Sequence, residues 1–373
     1  MTHAAPVHRT HAWDPVFLWT AVGFVLFGIL MLSSASGPSA YAKFGDSFWF
    51  VKHQLLFGLA PGIVALLFFA RLDYHRLQRC AKVCLVASFV LLLAVFLPGI
   101  GAAWGTSQSW IHLFGFSLQP AEIVKLTFLI FLATWLDQRG EEGVRDTNTG
   151  LFPFLTLVGA VAFLLILQPD VGGMSIIVGT SLLLYFLSGA KASHLVGIAA
   201  AGFAGLFVLI KAAPYRTARF TTFLHPELDP RGIGYHINQA LLAIGSGGFF
   251  GLGFGHSRQK FLYLPEVEGD SIFAIIAEEL GFVLMLAFVA AILFFLFRGY
   301  KIARHAPDRF GQLLGGGIMC WLGLQTFVNI AGMLSLMPLT GLTLPFVSYG
   351  GTSLMMNLAA IGVMLNISKA SNA

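Results

Sequence analysis

Few charged side chains interrupt the long apolar runs of this chain, and those that do are the first candidates for chemistry. Glu122 and Lys125 lie three residues apart near the start of one run. On a helix this spacing places both side chains on one face, within reach of an ion pair. Burying the two charges is expensive, so the pattern indicates either a structural ion pair or a pair that faces a substrate. The spacing favours neither role over the other.

A second candidate, Asp270, stands where the long segment 214–269 meets another apolar run. An exposed aspartate has a pKa of about 3.9, so it is ionised at neutral pH and can accept a proton as a general base. Aspartate is also a good N-cap, which leaves a capping role equally open. Structureless segments of this length are uncommon unless they are functional. The boundary between segment and run is therefore a candidate site.

Other polar residues within apolar runs are interpreted as contacts between helices. Glu278 and Glu279 lie about two turns into the run that follows Asp270, where the helical period turns Glu279 away from Asp270. Gln325 and Asn329 are four residues apart and share one helix face. Such contacts contribute about 0.6–2 kcal/mol each in membrane proteins. We expect Glu279, Gln325 and Asn329 to hold helices together.

The segment 214–269 also contains the glycine-rich stretch 244–255. This stretch has neither the G-x-G-x-x-G nor the Walker A spacing, and no strand is evident before it, so we expect no nucleotide site. The glycines instead predict tight turns and close approach of the backbone to a ligand or a neighbouring helix. His225, His236 and His256 fit no metal-binding spacing and are interpreted as ordinary loop histidines.

The composition of the chain predicts that these residues lie on or beside membrane helices. The 373 residues are 57% hydrophobic and only 10% charged, whereas a soluble chain carries roughly 25% charged residues. Crossing the hydrocarbon core takes about 20 apolar residues as a helix. We predict an all-α, polytopic membrane protein with about ten spans in one membrane domain, 16–368, at 16–34, 49–70, 81–98, 120–136, 153–168, 171–188, 194–213, 270–297, 312–335 and 350–368.

Lysine and arginine in the short loops predict the orientation of the chain. With alternating helices, the basic residues of the loops around 71–82, 139–145, 191 and 298–309 fall on one side, which the positive-inside rule makes cytoplasmic. Both tails, 1–15 and 369–373, fall on that side, and the large loop 214–269 between helices 7 and 8 is extracytoplasmic. The net charge of +5 is explained by these loops rather than by nucleic acid.

The cysteines exclude further classes of protein. Cys80, Cys84 and Cys320 lie in or beside apolar runs, and they form neither a CxxC pair nor a Cys/His metal pattern. We therefore expect no disulfide framework, no zinc site and no haem.

Several long motifs resemble the bacterial SEDS family (shape, elongation, division and sporulation). The resemblance covers nearly the whole chain in order and is carried by residues 253–266 with Asp270, residues 340–353, Gln119 to Glu122 with Lys125, and Gln168 to Asp170. Within the family the motifs are most similar to the FtsW division branch. The family usually has Thr-Asp-Phe where this chain has Gly269-Asp270-Ser271, and a basic residue before Trp110 where this chain has Gln108 and Ser109.

The resemblance implies a peptidoglycan glycosyltransferase in the bacterial plasma membrane. Such proteins polymerise lipid II, an undecaprenyl-diphosphate-linked disaccharide-pentapeptide, at the outer leaflet together with a class B penicillin-binding protein and, in division, with other divisome proteins. It implies that Asp270 is the catalytic base. Substrate-binding candidates that could hold the diphosphate and sugars are Glu122, Lys125, Arg216, Arg219, Gln239, Arg258 and Lys260. A divalent cation, Mg²⁺ or Mn²⁺, could share this task, although no ligand set follows from the sequence.

Three other functions stay open at this stage. A lipid II flippase or other transporter would also use polar residues inside a helix bundle, and a scaffold could recruit division enzymes without catalysis. A RodA-like elongation polymerase would share the chemistry. The motif residues concentrate in the loops of one side, which favours chemistry at one membrane face.

The predicted orientation can be tested with a phosphatase that is active only outside the cytoplasm. Fused after Leu228, it should be active because the segment 214–269 is predicted to be extracytoplasmic. The same fusion after Arg304 serves as the control and should be inactive. A stably expressed but inactive fusion at Leu228 would overturn the orientation.

Overall fold

The computed structural model describes residues 12–97, 101–104, 107–113, 116–211, 217, 221–225 and 232–371. The predicted large loop is described at only a few positions before residue 232, and Arg216 and Arg219 lie outside the described residues.

Most of the described residues are helical. The α-helices are α1 Pro15–Ala35, α2 Gly37–Phe44, α3 Trp49–Gln54, α4 Ala60–Arg71, α5 Tyr74–Arg79, α6 Ala81–Ala94, α7 Pro120–Arg145, α8 Phe152–Leu167, α9 Val171–Leu187, α10 Ala192–Lys211, α11 Ile233–Ser246, α12 Ile272–Arg304, α13 Arg309–Met333 and α14 Gly351–Ala370. Two π-helical turns, Leu55–Leu59 and Thr147–Leu151, lead into α4 and α8.

Each of the ten predicted spans overlaps a helix within the described residues; residues 98, 212 and 213, at the ends of two spans, lie outside them. Within the described residues, six helical segments are long and apolar enough to cross a membrane, and α6, α9 and α10 contribute shorter apolar stretches. The polytopic membrane fold is thereby confirmed, whereas the number of ten crossings stays a prediction. Several elements were not anticipated. Helices α2, α5 and α11 lie between the predicted spans, with α11 inside the predicted loop 214–269. The connection between α6 and α7 forms a small antiparallel sheet of β1 Gly101–Trp104, β2 Ser107–Leu113 and β3 Phe116–Leu118.

Aspartates begin several of the helices. The side chains of Asp14, Asp170 and Asp308 accept hydrogen bonds of 2.7–2.9 Å from backbone N–H groups in the first turns of α1, α9 and α13. These bonds satisfy donors that a helix leaves without a partner at its start. The tight turn predicted at 168–170 is confirmed, because α8 ends at Leu167 and α9 begins at Val171.

Helix α14 lies in the centre of the bundle, and most of its residues are buried. It packs along α4, where glycines allow the two backbones to approach closely. A Cβ at Gly62 would lie 3.2 Å from Met355 Cα, and a Cβ at Gly362 would lie 2.5 Å from the Leu66 carbonyl oxygen. Since apolar helices gain no hydrophobic energy by leaving lipid tails, such close contact is what stabilises their pairing.

The basic loops and both ends of the described chain meet at one end of the bundle. Side chains there join segments that are far apart in the sequence. The contacts are Asp14 with Arg298 and Ser368, Tyr74 with Asp308, Gln78 with Asp137, and Arg145 with the Gly189 carbonyl. The predicted grouping of the basic loops is therefore present in the fold. The side of the membrane that they face stays a prediction.

Helix α12 is interrupted at Gly281, whose φ of 73° and ψ of 177° suit only glycine. The glycine-rich stretch fills the interruption and makes close backbone contact with this neighbouring helix, as one of the two predicted alternatives required. Four bonds join them: Phe282 and Val283 N–H donate to the Gly248 and Phe249 carbonyls, and Leu252 and Gly253 N–H donate to the Glu278 and Glu279 carbonyls.

Replacing Gly281 with alanine should destabilise the protein by more than about 3 kcal/mol, because the backbone conformation is strained and the contact is too close. The new Cβ would lie 2.1 Å from the Gly251 nitrogen. The measurement is the thermal midpoint in detergent. Gly159→Ala is the matched control, since nothing lies within 4 Å of a Cβ there, and it should be neutral or stabilising by about 0.5–1 kcal/mol. Equal midpoints for the two variants would contradict this account.

Candidate active site

Residues from four parts of the chain converge at the end of the bundle opposite to the basic loops. We call this the motif end: it is where α1 and α13 finish and where α12 and α14 begin. Glu268 accepts from Lys43 Nζ at 3.0 Å and from Ser39 Oγ at 3.2 Å, and its carbonyl accepts from the Tyr349 N–H at 2.8 Å. These contacts fix the segment that carries Asp270.

Asp270 is half-buried two residues before α12 begins. The N-cap position of α12 belongs to Ser271, and no side chain forms a capping bond there. The capping role that the sequence left open for Asp270 is therefore not observed. Partial loss of hydration raises the pKa of Asp270 to about 6, with Glu268 adding a smaller repulsion. Its carboxylate is ionised at neutral pH and is a stronger base than an exposed aspartate.

Two amides on α13 hold the segments around Asp270. Asn329 Nδ2 donates to the Asp270 carbonyl at 2.9 Å and to the Leu342 carbonyl at 2.7 Å. One turn earlier, Gln325 Nε2 donates to the Thr343 carbonyl at 2.9 Å. The predicted role of Gln325 and Asn329 as structural contacts is confirmed, and the contacts fix loop backbone as well as helices.

Glu122 and Lys125 form the predicted ion pair, with Lys125 Nζ 2.6 Å from Glu122 Oε1. Both side chains are buried. Lys125 also donates to Gln325 Oε1 at 2.8 Å and lies over the Trp321 ring. Within the described part of the chain, Glu122 Oε2 has no hydrogen-bond partner. The pair lies inside the bundle, one layer below Asp270, and its possible contact with substrate stays a prediction.

Glu278 and Glu279 organise the loop that precedes Asp270. Glu279 accepts from Ser34 Oγ at 2.7 Å and from Lys260 Nζ at 2.9 Å, so the predicted structural role of Glu279 is confirmed. Glu278 accepts from Ser257 Oγ and from the Arg258 N–H. Two adjacent carboxylates on α12 thus bind the loop to the bundle.

The proposed substrate-binding residues fall into different environments. Lys260 is buried, and its ammonium group donates to Glu279, Ser34 and the Gly255 carbonyl, which uses its three protons. Lys260 therefore helps to bind the loop to the bundle, and its ammonium group does not face an open surface. The Arg258 side chain is exposed, and Gln239 is half-buried on α11.

His236, interpreted from the sequence as an ordinary loop histidine, lies instead on helix α11 and contacts Ser271, the residue after Asp270. Its Nε2 atom lies 2.6 Å from Ser271 Oγ, and the same hydroxyl lies 3.3 Å from Asp270 Oδ1. Thirty-five residues separate His236 from Ser271. No local spacing rule connects residues so far apart, so only the folded chain reveals this contact.

The described residues do not fit a metal held by the protein alone. Within the part of the chain that the structure describes, no group of three or more His, Cys, Asp or Glu side chains is arranged to hold a metal ion. Mg²⁺ is commonly bound through one or two carboxylates together with substrate phosphates. Binding of a divalent cation together with a substrate diphosphate stays a prediction.

Comparisons with known proteins assign the family. Residues 15–373 match the family model of FtsW, RodA and SpoVE, described as cell cycle protein. The chain is 42% identical over 344 residues to stage V sporulation protein E of Bacillus subtilis (strain 168), covering 92% of this chain and 93% of that protein. It is 36% identical over 362 residues to the probable peptidoglycan glycosyltransferase FtsW of Geobacter sp. (strain M18), covering 97% and 98%.

Solved structures share the fold over nearly the full length. The rod shape determining protein RodA of Thermus thermophilus matches with a TM-score of 0.70 and 27% identity, covering 97% of this chain and 98% of that chain. A structure on the coordination of polymerization and crosslinking by a peptidoglycan synthase complex contains a chain that matches with a TM-score of 0.79 and 28% identity, covering 96% and 98%.

Fold and site together define a multi-pass helical membrane protein that presents a half-buried carboxylate at one end of its bundle. The chain belongs to the family of FtsW, RodA and SpoVE, which confirms the SEDS resemblance of its motifs.

The Glu122–Lys125 pair provides a test of its own role. Lys125→Ala leaves the Glu122 carboxylate buried without its cation, which should cost about 3–5 kcal/mol. The double variant Glu122→Gln with Lys125→Met removes both charges and should recover most of this loss. Thermal midpoints in detergent and rates of lipid II polymerisation, measured on the same variants, distinguish a structural role of the pair from a substrate-facing one. If Lys125→Ala keeps its midpoint but loses activity, the pair faces the substrate.

Proposed function

We propose that this protein is a peptidoglycan glycosyltransferase that polymerises lipid II at the outer leaflet of the bacterial plasma membrane. The observation that supports it best is Asp270, a half-buried carboxylate at the motif end whose pKa is raised by loss of hydration. Relatives named as probable peptidoglycan glycosyltransferases cover almost the entire chain. Such a reaction requires a general base, and the position of Asp270 at the end of the bundle, where a lipid-linked sugar would be presented, supports that role for it.

The chemistry assigns one step to Asp270. A sugar hydroxyl of one lipid-linked substrate transfers its proton to the Asp270 carboxylate as the hydroxyl oxygen bonds to the anomeric carbon of the other sugar. The bond from that carbon to the lipid diphosphate breaks, and its electron pair leaves with the diphosphate. Positive charge beside the diphosphate would stabilise this departure. Arg258 has an exposed side chain near the motif end and is the described candidate, with Arg216 and Arg219 as further candidates from the sequence.

The proposed orientation places the motif end outside the cytoplasm and both termini inside. It is supported by the clustering of basic loops at the opposite end, because short basic loops are retained in the cytoplasm. The buried polar residues also favour chemistry at one face. Glu122, Lys125, Gln325 and Asn329 all lie in the half of the bundle toward Asp270.

We also propose that the protein acts in cell division with a class B penicillin-binding protein. Several relatives carry the name FtsW, and a structural neighbour is a peptidoglycan synthase complex. The relationship to stage V sporulation protein E makes sporulation the other physiological setting to test. Co-purification with the penicillin-binding proteins of the source organism, compared between dividing and sporulating or elongating cells, distinguishes these settings; the proposal fails if no complex forms in dividing cells.

The decisive variant is Asp270→Asn, which keeps the size of the side chain but removes the proton acceptor. Loss of a general base typically lowers the rate 10²–10⁴-fold, so the variant should fold normally and make little glycan from purified lipid II. Asp46→Asn is the matched control. Asp46 is a more exposed carboxylate of the α2–α3 connection that pairs with Lys52 at 2.7 Å, so its loss should leave the rate within about twofold.

The outcomes separate the remaining functions. A flippase forms no glycosidic bond, so wild-type protein that moves lipid II between leaflets without polymerising it would overturn the proposal. A scaffold would support growth equally well with Asp270→Asn. Near-normal polymerisation by Asp270→Asn would show that another carboxylate, such as Glu266 or Glu268, is the base.

A further inference from the structure

A chain of three polar side chains leads from helix α11 to the carboxylate of Asp270. His236 Nε2 lies 2.6 Å from Ser271 Oγ, and Ser271 Oγ donates to Asp270 Oδ1 at 3.3 Å. Because the single hydroxyl proton of Ser271 is directed at the carboxylate, the hydroxyl oxygen is left to accept a hydrogen bond from the N–H of His236 Nε2. Both the Nε2–H tautomer and the imidazolium form of histidine can donate that hydrogen bond.

We propose that His236 and Ser271 are positioning residues, a donor chain that holds Asp270 Oδ1 and leaves Oδ2 for the hydroxyl of the acceptor sugar. This inference deepens the proposed glycosyltransferase function and rests on it. A carboxylate with one oxygen held is limited in rotation, and a base held within hydrogen-bond reach of its proton is more effective than one that must first be oriented.

The surroundings of Ser271 indicate that its hydroxyl is reserved for this chain. Ser271 is fully buried at the start of α12, a position where serine side chains commonly cap the helix. Here its side chain forms no capping bond. A buried hydroxyl needs partners, and those of Ser271 are His236 and Asp270.

Helix α11 is anchored so that His236 cannot move far from Ser271. Ile237, Ala240 and Ala243 of α11 are buried, and α11 packs against α12 and α13. His236 and Ala240 are one turn apart and share a helix face. The donor is thus presented from a packed helix rather than from a mobile loop.

The donor chain also opposes the negative charge that gathers around Asp270. The other titratable groups near it are Glu266, Glu268 and Lys43, with Glu266 in electrostatic reach of Asp270 and His236. Repulsion from Glu268 and loss of hydration favour the protonated form of Asp270, whereas donation from Ser271 favours the ionised form. Removing the donor must therefore raise the pKa of Asp270.

Ser271→Ala tests the chain directly. Loss of a hydrogen bond to a charged group typically shifts the equilibrium that it supports by about tenfold or more. We therefore expect kcat for lipid II polymerisation to fall about tenfold, with KM within about twofold of the wild-type value. The acidic limb of the kcat profile should move to higher pH, with the loss greater at pH 6 than at pH 8. The thermal midpoint should stay near that of the wild type because no cap is lost.

The matched control for Ser271→Ala is Ser246→Ala on α11. Among the described residues its hydroxyl donates to the Ala243 carbonyl within its own helix and to no other group, so neither the rate nor the acidic limb should change. If Ser271→Ala has a wild-type acidic limb and a wild-type kcat, the chain has no role in the reaction and the inference is wrong.

His236 can be tested with a conservative and a disruptive variant. His236→Gln retains an N–H donor near the position of Nε2 and should recover at least a third of the wild-type kcat, whereas His236→Leu should resemble Ser271→Ala in rate and in pH profile. A His236→Leu protein that melts normally and polymerises at the wild-type rate would overturn the role of His236.

The controls keep this inference separable from the proposed function. If the wild-type protein makes no glycan from lipid II, the proposed function fails and the donor chain has no reaction to serve. If the wild type polymerises and Asp270→Asn does not, while both Ser271→Ala and His236→Leu behave as wild type, the function stands and the donor chain alone is refuted.

Discussion

The motif end depends on the two adjacent buried carboxylates of Glu278 and Glu279. Both side chains are almost completely buried, so each carboxylate must find hydrogen-bond donors within the protein. Glu278 draws in Ser257 and the backbone of the following residues, and Glu279 draws in Lys260 and Ser34. These bonds attach one continuous loop to both α1 and α12. They add to the contacts of Glu268 with Lys43, Ser39 and Tyr349, which hold the same segment nearer to Asp270.

The break in α12 at Gly281 creates the same need for the backbone, whose polar groups must also find partners within the protein. An interrupted helix exposes N–H and C=O groups that lipid cannot satisfy. The glycine-rich stretch supplies four replacement bonds, and only glycine fits the contact: a Cβ at Gly251 would lie 2.2 Å from the Glu279 carbonyl oxygen. Backbone and side-chain bonds therefore converge on the same two turns of α12, so the loop before Asp270 is bound to the bundle at several points although it has no regular structure of its own.

From this anchored end a buried polar path runs into the bundle. Asn329 ties the Asp270 segment to the 342–343 loop, Gln325 ties that loop to Lys125, and Lys125 pairs with Glu122. The path is organised by amides at two successive turns of α13. Gln325 both accepts, from Lys125, and donates, to Thr343, whereas Asn329 donates twice and its Oδ1 has no hydrogen-bond partner among the described residues. A change at Lys125 should therefore reach the 342–343 loop through Gln325.

Much of this architecture could be predicted from residue patterns. Apolar runs of about 20 residues located the helices, since lipid requires backbone bonds to be satisfied within each span. The grouping of the basic loops followed from helix alternation, and the contact between Glu122 and Lys125 followed from their spacing on one helix. Asp270 could be singled out because it stands at the boundary of an unusually long loop. In each case the relevant interaction is local in sequence or depends only on composition.

The tertiary structure alone decided which partners complete the site. From the sequence, Lys260 could be a cation free to bind substrate. In the structure its ammonium protons are donated to Glu279, Ser34 and the Gly255 carbonyl. His236 reads as an ordinary loop histidine, but the packing of α11 on α12 brings it to Ser271. Helical periodicity and charge counts describe each segment by itself. Hydrogen bonds between segments depend on how the helices pack, and that is set by the many small contacts of the whole bundle rather than by any motif within one segment.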